Sequence, residues 1–279
     1  MDDVMRAARR CLLLSLLSMA APLPAMAADC QSRVYELLQA AYPGAQGETG
    51  DNGDNGELLR LPESPARWIN LGEVVCKVWP AAPDKTLLAL KLQHEAATDL
   101  EVEPADLELL VADSARPRIL QRYREANALD SDAIRVSGLS LDTARYRLDE
   151  RTTAFGLRVS YTGASRANPY SSTSLSLYVP DGARLRPVLS RLQVALDRGE
   201  WDTQCAGEFE SVQRTVAIDG KRDHGYAGLL VASSASAHRN EQASDGQCSN
   251  VESPARKSRE RLYYDGREYA VPPALRGLD

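Results

Sequence analysis

The sequence predicts a mainly β protein of antiparallel strands, with one short helix near its N-terminus. Apolar side chains alternate with polar ones along residues 155–161 and again along 174–179. A period of two is typical of strands with one buried and one exposed face, and such strands belong to antiparallel sheets. Turn signals such as Pro180-Asp181-Gly182 separate similar segments. We therefore expect an irregular propeller-like, sandwich or barrel domain. Its predicted core includes Phe155, Leu157, Val159, Leu175 and Leu177.

The N-terminal segment 1–27 is predicted to be a signal peptide. Arginines precede an apolar run, and small residues up to Ala27 offer a cleavage site. The apolar run is shorter than the roughly 20 residues that a membrane span needs. We expect translation to start at Met1 or Met5 and the mature chain to lack a transmembrane segment. The protein is therefore predicted to be periplasmic or secreted.

Residues 28–57 are predicted to form a helix and a Gly-rich linker. Asp29 can cap the helix, apolar residues then recur at helical spacing, and Pro43-Gly44 should end it. The polar, glycine-rich run that follows is typical of a flexible connection. A single mainly β domain is expected over residues 58–279.

Three C-terminal segments carry specific expectations. Residues 185–196 fit both a helix and a strand, and the neighbouring strands favour a strand. Residues 232–250 are small and polar, which predicts a loop. Residues 261–271 predict a hairpin with Asp265-Gly266 as a two-residue turn.

Four cysteines follow the predicted cleavage site, and an even number in an exported chain predicts two disulfides. Of the possible pairings we favour nearest neighbours, which are Cys30 with Cys76 and Cys205 with Cys248. Zinc sites usually use closely spaced cysteine pairs, which this sequence lacks. No metal and no cofactor are therefore expected.

Composition and motifs disfavour several classes of function. Acidic residues outnumber basic ones by 39 to 33, whereas nucleic-acid-binding proteins usually show a basic excess. The sequence has three histidines and contains neither G-x-S-x-G nor H-E-x-x-H, so hydrolysis by an activated serine or by a zinc ion is not favoured. A pair of carboxylates acting on a sugar stays open.

Four segments carry a family resemblance: VCKVWP (75–80), SRANPYSSTSLSLYV (165–179), EWDTQCAGEF (200–209) and YYDGREYAVP (263–272). Together with the export signal, they resemble a group of uncharacterised bacterial envelope proteins. That resemblance implies no activity, because none is assigned to the group. The alternating segments also resemble FG-GAP-type propeller repeats. The acidic calcium loops of those repeats are missing here, so no metal binding is implied.

The candidate binding site combines a polar loop with a tryptophan further along the chain. Arg166, Asn168 and Tyr170 lie in the loop, and Trp201 and Asp202 would join them if the fold brings these segments together. An aromatic ring among polar groups suits a sugar or a protein partner. A core tryptophan beside a disulfide is the alternative interpretation.

Two hypotheses of function follow. The leading one is a non-enzymatic exported protein, without catalytic residues, that binds an envelope protein or glycan. The alternative is a periplasmic hydrolase that acts on envelope carbohydrate through a carboxylate pair.

Overall fold

A computed structural model of the protein describes residues 30–49, 57–94 and 102–278. The predicted signal peptide, its cleavage site, both start methionines and the helix cap Asp29 lie outside these residues. Within them, the prediction of a mainly β, antiparallel fold with a short N-terminal helix is confirmed.

The N-terminal helix is short and amphipathic. A 3₁₀ turn at Cys30–Arg33 leads into α1, Val34–Ala41. Its buried residues Val34, Leu37 and Leu38 lie on one face because they recur at helical spacing. Gly44 then takes a φ of +91°, which glycine adopts readily after a helix. No helix in the described residues is long and apolar enough to cross a membrane.

Seven strands make up the N-terminal half of the described chain: β1 (Gln46–Thr49), β2 (Glu57–Arg60), β3 (Arg67–Asn70), β4 (Val75–Val78), β5 (Lys85–His94), β6 (Ala105–Asp113) and β7 (Ile119–Glu125). They pair in the order β1-β2-β3-β5-β6-β7, and β4 also pairs with β5. The predicted linker is therefore partly wrong, because its residues 46–49 pair with β2 as a strand.

The C-terminal half is a meander of longer strands: β8 (Ile134–Arg147), β9 (Thr153–Gly163), β10 (Tyr170–Asp181), β11 (Arg184–Trp201), β12 (Gly207–Asp223), β13 (Tyr226–Gln242) and β14 (Cys248–Leu262). Each pairs antiparallel with the next. A parallel pair, Arg122 with Arg184, joins β7 to β11. A 3₁₀ turn at Pro273–Leu275 follows the meander.

The described strands form one connected sheet that folds back on itself. It does not close into a barrel, and it is not divided into separate propeller blades, so those two alternatives are wrong. Leu107 and Leu109 of β6 pack with Phe155 and Leu157 of β9 in a central core. The sandwich alternative stays a prediction, because the described strands belong to one connected sheet rather than to two.

All five predicted core residues are buried, but they belong to two different cores. Phe155, Leu157 and Val159 lie in the central core, whereas Leu175 and Leu177 lie in an outer one on the other side of the sheet. The register explains the division. Leu157 is directly opposite Ser176 rather than a leucine, so the two leucines of β10 point the other way. A third core lies beneath α1.

The predictions for residues 185–196 and 232–250 differ in their outcome. Residues 185–196 lie within β11, which confirms the strand interpretation. The loop predicted at 232–250 is wrong, because β13 and β14 occupy most of it and turn at 243–247. The small polar residues there pair through their backbones with β12 and β14. Residues 248–260 of β14 are all exposed. This part of the strand has no buried face, so its sequence lacks the apolar alternation by which a strand is predicted.

The predicted hairpin at 261–271 is only partly correct. Tyr264 and Tyr269 form an isolated antiparallel bridge, so the turn has four residues instead of two. Asp265 shapes this turn through Oδ1, which accepts the N–H groups of Arg267 and Glu268 at 2.7 Å each. Tyr269 is buried in the outer core.

Both predicted disulfides are confirmed. Cys30–Cys76 joins the turn before α1 to β4, with Cα atoms 6.0 Å apart. Cys205–Cys248 joins the β11–β12 turn to the start of β14, with Cα atoms 5.7 Å apart. The second bond lies where the ends of β11 to β14, at residues 197–213 and 234–257, extend past the cores. We call this extension the arm.

Candidate functional site

The loop between β9 and β10 lies against the end of β11. The backbone N–H of Trp201 donates to the carbonyl of Ala167 at 3.0 Å. Its indole Nε1 donates to the carbonyl of Arg166 at 2.5 Å. The fold therefore brings Trp201 beside the predicted loop, which was the condition attached to the candidate site.

Trp201 belongs to an aromatic row on one face of the arm. Its ring centroid is 6.4 Å from that of Phe209, which in turn stacks on His238 at 4.7 Å. Gly199 and Gly207 make this row possible, because a Cβ at either position would collide with Phe209 or Trp201. Trp201 is half-buried in this row, and His238 is a strand residue rather than part of a solvated loop.

Asp202 has a structural role in the turn that follows β11. Its Oδ1 accepts the backbone N–H groups of Gln204 at 2.8 Å and Cys205 at 2.7 Å. These hydrogen bonds hold the pKa of the Asp202 carboxyl below its usual range. The turn so formed positions Cys205 for its bond to Cys248.

The arm borders a large cavity, which we call the arm groove. Its volume is about 1230 Å³, and its lining runs from Ile134 on β8 to Arg256 on β14. Both outer strands of the meander contribute, so the curled sheet forms an open trough.

The groove includes only part of the predicted site. Asn168 and Tyr170 line it, whereas Arg166, Trp201 and Asp202 do not. The aromatic row nevertheless reaches the groove, because Phe209 and His238 belong to its lining.

The lining of the groove includes charges of both signs. Arg198 pairs with Glu210 across β11 and β12, with Nε 2.8 Å from Oε2. Arg239 of β13 lies 3.8 Å from the Oε1 of Glu208. Glu200 is directly opposite Glu208 in the register. Consecutive strand residues point to opposite faces, so these charges lie on the opposite face of the sheet from the aromatic row, and the lining of the groove includes residues of both faces.

Sequence reasoning missed the charged lining residues. The alternation of Glu208 and Glu210 with Phe209 is visible in the sequence. This alternation does not show that the glutamates have charged partners. The strand register places Arg198 opposite Glu210 and Arg239 opposite Glu208.

Asp106 is a buried acid outside the groove. It accepts hydrogen bonds from His94 Nε2 at 2.6 Å, the Asn127 N–H at 3.0 Å, Arg67 Nε at 3.1 Å and Arg124 at 2.9 Å. Burial opposes ionisation of this carboxyl, but the hydrogen bonds outweigh it and hold its pKa well below the usual range. Asp106 thus ties β3, β5 and β7 to β6.

Glu108 lies two residues along on the same face of β6 and is fully buried. Tyr42 donates its hydroxyl to one carboxylate oxygen, and Arg122 Nε lies 2.8 Å from the other. Burial raises the pKa of Glu108 despite these partners. Neither Asp106 nor Glu108 lines the arm groove, so this pair of acids fits a structural role near α1.

Among the residues that the structure describes, no group of three or more His, Cys, Asp or Glu is placed to hold a metal ion. Comparisons with protein-family models, with curated proteins and with solved structures found no match. The functional interpretation therefore depends on the residues of the groove.

Proposed function

We propose that this chain is a non-catalytic exported protein that binds a protein or glycan of the cell envelope in the arm groove. The observation that carries the proposal is the size of the groove. At about 1230 Å³ it exceeds the roughly 300–1,000 Å³ typical of small-molecule sites. Such a trough suits an extended segment of a larger partner.

The lining supports a polar, mixed-charge partner. Arg198, Arg239 and Arg256 line the groove together with Glu200 and Glu208. Charges of both signs can match a protein segment that carries both signs, whereas a polyanion would meet repulsion from the glutamates. Small apolar residues such as Ala235 and Ala237 lie between the charges and leave space for a chain to approach.

The disulfides are consistent with export. Disulfides persist in oxidising compartments and are rare in the cytosol. Cys205–Cys248 cross-links the exposed end of the arm, which has few buried side chains of its own. A fixed arm lowers the entropy cost of binding, since less of the surface must be ordered on contact.

Affinity capture from an envelope fraction tests this proposal. The mature protein should recover one stoichiometric partner, and Ala237→Trp should abolish recovery by filling the groove. Ala217→Trp is the matched control, because Ala217 is exposed on β12 and does not line the groove. Equal recovery by all three proteins, or recovery of nothing by the wild type, would count against the proposal. Circular dichroism establishes that each variant is folded.

One observation favours the alternative of a carbohydrate hydrolase. Glu200 and Glu208 are directly opposite on adjacent strands, where Cβ atoms lie about 4.5–5.5 Å apart. Retaining glycosidases hold their two carboxyl groups about 5–5.5 Å apart. Both glutamates are exposed, however, and an open trough excludes little water.

Glycan cleavage assays distinguish the two proposals. Cleavage of envelope glycan by the wild type, lost in both Glu200→Gln and Glu208→Gln but kept in Glu210→Gln, would establish the hydrolase. The binding proposal expects no cleavage by any of these proteins.

A further inference from the structure

A second, smaller cavity lies where β7 and β11 separate, and we call it the fork pocket. The two strands touch at the parallel pair of Arg122 and Arg184 and then diverge. The resulting gap of about 330 Å³ is closed by β9 and β10 on one side and by residues 268–271 on the other. It shares no lining residue with the arm groove.

Hydroxyl groups dominate the polar lining of this pocket. They belong to Tyr123, Tyr161, Tyr178, Ser174, Ser176 and Ser190. Ser174 and Ser176 lie on the face of β10 that is turned toward the central core. Each is directly opposite a core residue of β9, Val159 for Ser174 and Leu157 for Ser176. Serine gains little from burial in an apolar core, so this row is better explained by polar contacts in the pocket.

A strained residue marks the same place. Arg191 has a φ of +53°, in the left-handed region that non-glycine residues seldom adopt. It lies at a register irregularity of β11, where Ser176 Oγ accepts its backbone N–H at 3.0 Å and its carbonyl accepts the Gly277 N–H at 2.8 Å. Bulges and strained residues concentrate at functional sites, where they redirect a side chain.

The redirected guanidinium is held in place by a chain of hydrogen bonds. Arg191 Nη2 donates to Glu125 Oε1 at 3.0 Å. The Tyr123 hydroxyl donates to the other oxygen of Glu125 at 2.8 Å. The pocket therefore has polar groups at preset positions, as ligand sites require.

The charges of the lining indicate the class of ligand. Arg191 and Arg276 are balanced by Glu125 and Glu268, so the lining favours neither an anion nor a cation. Hydroxyl groups both donate and accept hydrogen bonds, which suits a ligand that is itself rich in hydroxyls. The volume lies at the lower end of the range for small-molecule sites, roughly 300–1,000 Å³, and accommodates one ring.

We propose that the fork pocket binds a single neutral polyhydroxylated ring, namely one sugar residue, either free or at the end of a glycan. Leu157 and Val159 supply an apolar wall for the C–H face of the ring, and the hydroxyls contact its edge. This site is separate from the arm groove, so a failure of the proposed function would leave this proposal unaffected.

Saturation-transfer NMR with the full-length mature protein tests the proposal. The probes are glucose, N-acetylglucosamine and the N-acetylglucosamine trimer, and inorganic phosphate is added as a charged competitor. We expect transfer to at least one neutral sugar, and we expect excess phosphate to leave that transfer unchanged. Binding of a monosaccharide indicates a free sugar, whereas transfer restricted to the end residue of the trimer indicates a glycan terminus.

Two variants locate the site. Ala128→Leu adds bulk to the half-buried lining without removing a hydrogen bond, and should weaken binding at least tenfold. Ala144→Leu, at an exposed position of β8, is the matched control and should bind like the wild type. Tyr161→Phe removes one hydroxyl and should weaken binding about three- to tenfold.

The proposal is overturned if folded wild-type protein shows no transfer to any of the neutral sugars at millimolar concentration. It is also overturned if Tyr161→Phe and a folded Ala128→Leu bind as the wild type does, or if phosphate displaces the sugar.

Discussion

Removal of the two disulfides, one at a time, separates the effect of loop length from the effect of location. The paired changes are Cys205→Ala with Cys248→Ala, and Cys30→Ala with Cys76→Ala. The bonds span 43 and 46 residues respectively. Chain entropy therefore assigns both bonds nearly the same contribution, about 4 kcal/mol at 25 °C.

The structure predicts that the two losses will nevertheless differ. Without Cys30–Cys76, α1 stays docked because Leu37 and Leu38 are almost completely buried, and exposing each would cost about 1.5–3 kcal/mol. Since α1 stays docked, the native state gains no flexibility when the bond is removed. The whole entropy gain of the unfolded chain should therefore lower the free energy of unfolding by about 4 kcal/mol.

The arm should respond differently, because its end buries little surface that opening would expose. Residues 248–260 are exposed along β14, so without Cys205–Cys248 the turn at 243–247 can fray at low cost. Fraying returns entropy to the native state and offsets part of the entropy gained by the unfolded chain. We expect a loss of about 2 kcal/mol or less in the free energy of unfolding.

Urea titration gives both free energies, and hydrogen exchange shows where the chain opens. The Cys205/Cys248 variant should lose amide protection at 240–242 and 248–250, with the cores unchanged. The Cys30/Cys76 variant should keep protection in the arm. Equal losses of stability, together with an arm that stays protected in both variants, would refute the reasoning.

Other predictions concern the buried acids and one glycine. Asp106→Asn should lower the free energy of unfolding by about 3 kcal/mol, because Arg67 and Arg124 lose a buried, charged acceptor. Asp113→Asn, at an exposed ion pair, should lower it by less than about 1 kcal/mol, and similar losses in urea titration would contradict this. The lowered pKa of Asp106 means that its contribution is present above about pH 4 and is lost as the pH falls, so its variant should approach the wild type in acid denaturation. The raised pKa of Glu108 has the opposite sign, because the contribution of Glu108 to the free energy of unfolding falls as the pH rises above about 4. Glu108→Gln should therefore gain stability relative to the wild type as the pH rises above that value, and a constant difference in urea titrations would exclude this. Gly156→Ala should lower the free energy of unfolding by about 1–3 kcal/mol, because the added Cβ would collide with the side chain of Leu175. Gly138→Ala is the control: its Cβ would have open space, so thermal unfolding should be nearly unchanged.

The sequence predicted the fold class well because period-two alternation depends only on local burial. It predicted that Phe155 and Leu175 are buried, but it could not divide them between two cores. That division depends on the register between β9 and β10, in which Leu175 is opposite Arg158. The β14 side of the arm was missed for a related reason: residues 248–260 are exposed on both faces, so they show no alternation of apolar and polar side chains.

The candidate site was predicted in part. The sequence analysis required Trp201 to lie beside the loop that contains Arg166, and the fold places the two residues in contact. The disulfides followed from cysteine number and spacing. The groove could not be predicted, because its charges come from separate strands and converge only through pairing. The strain at Arg191 leaves no mark in the sequence, since a bulge is a property of two strands together.

The parallel pair between Arg122 and Arg184 has a consequence for the order of folding. Within the described strands, each step from β8 to β14 joins neighbours in sequence, so each pairing closes only a short loop. Joining β7 to β11 instead brings together residues separated by the whole of β8, β9 and β10. Loop-closure entropy makes such non-local contacts late and slow. The meander should therefore form first, and docking of the N-terminal strands should limit the rate, which completes the fork pocket as the last step of folding.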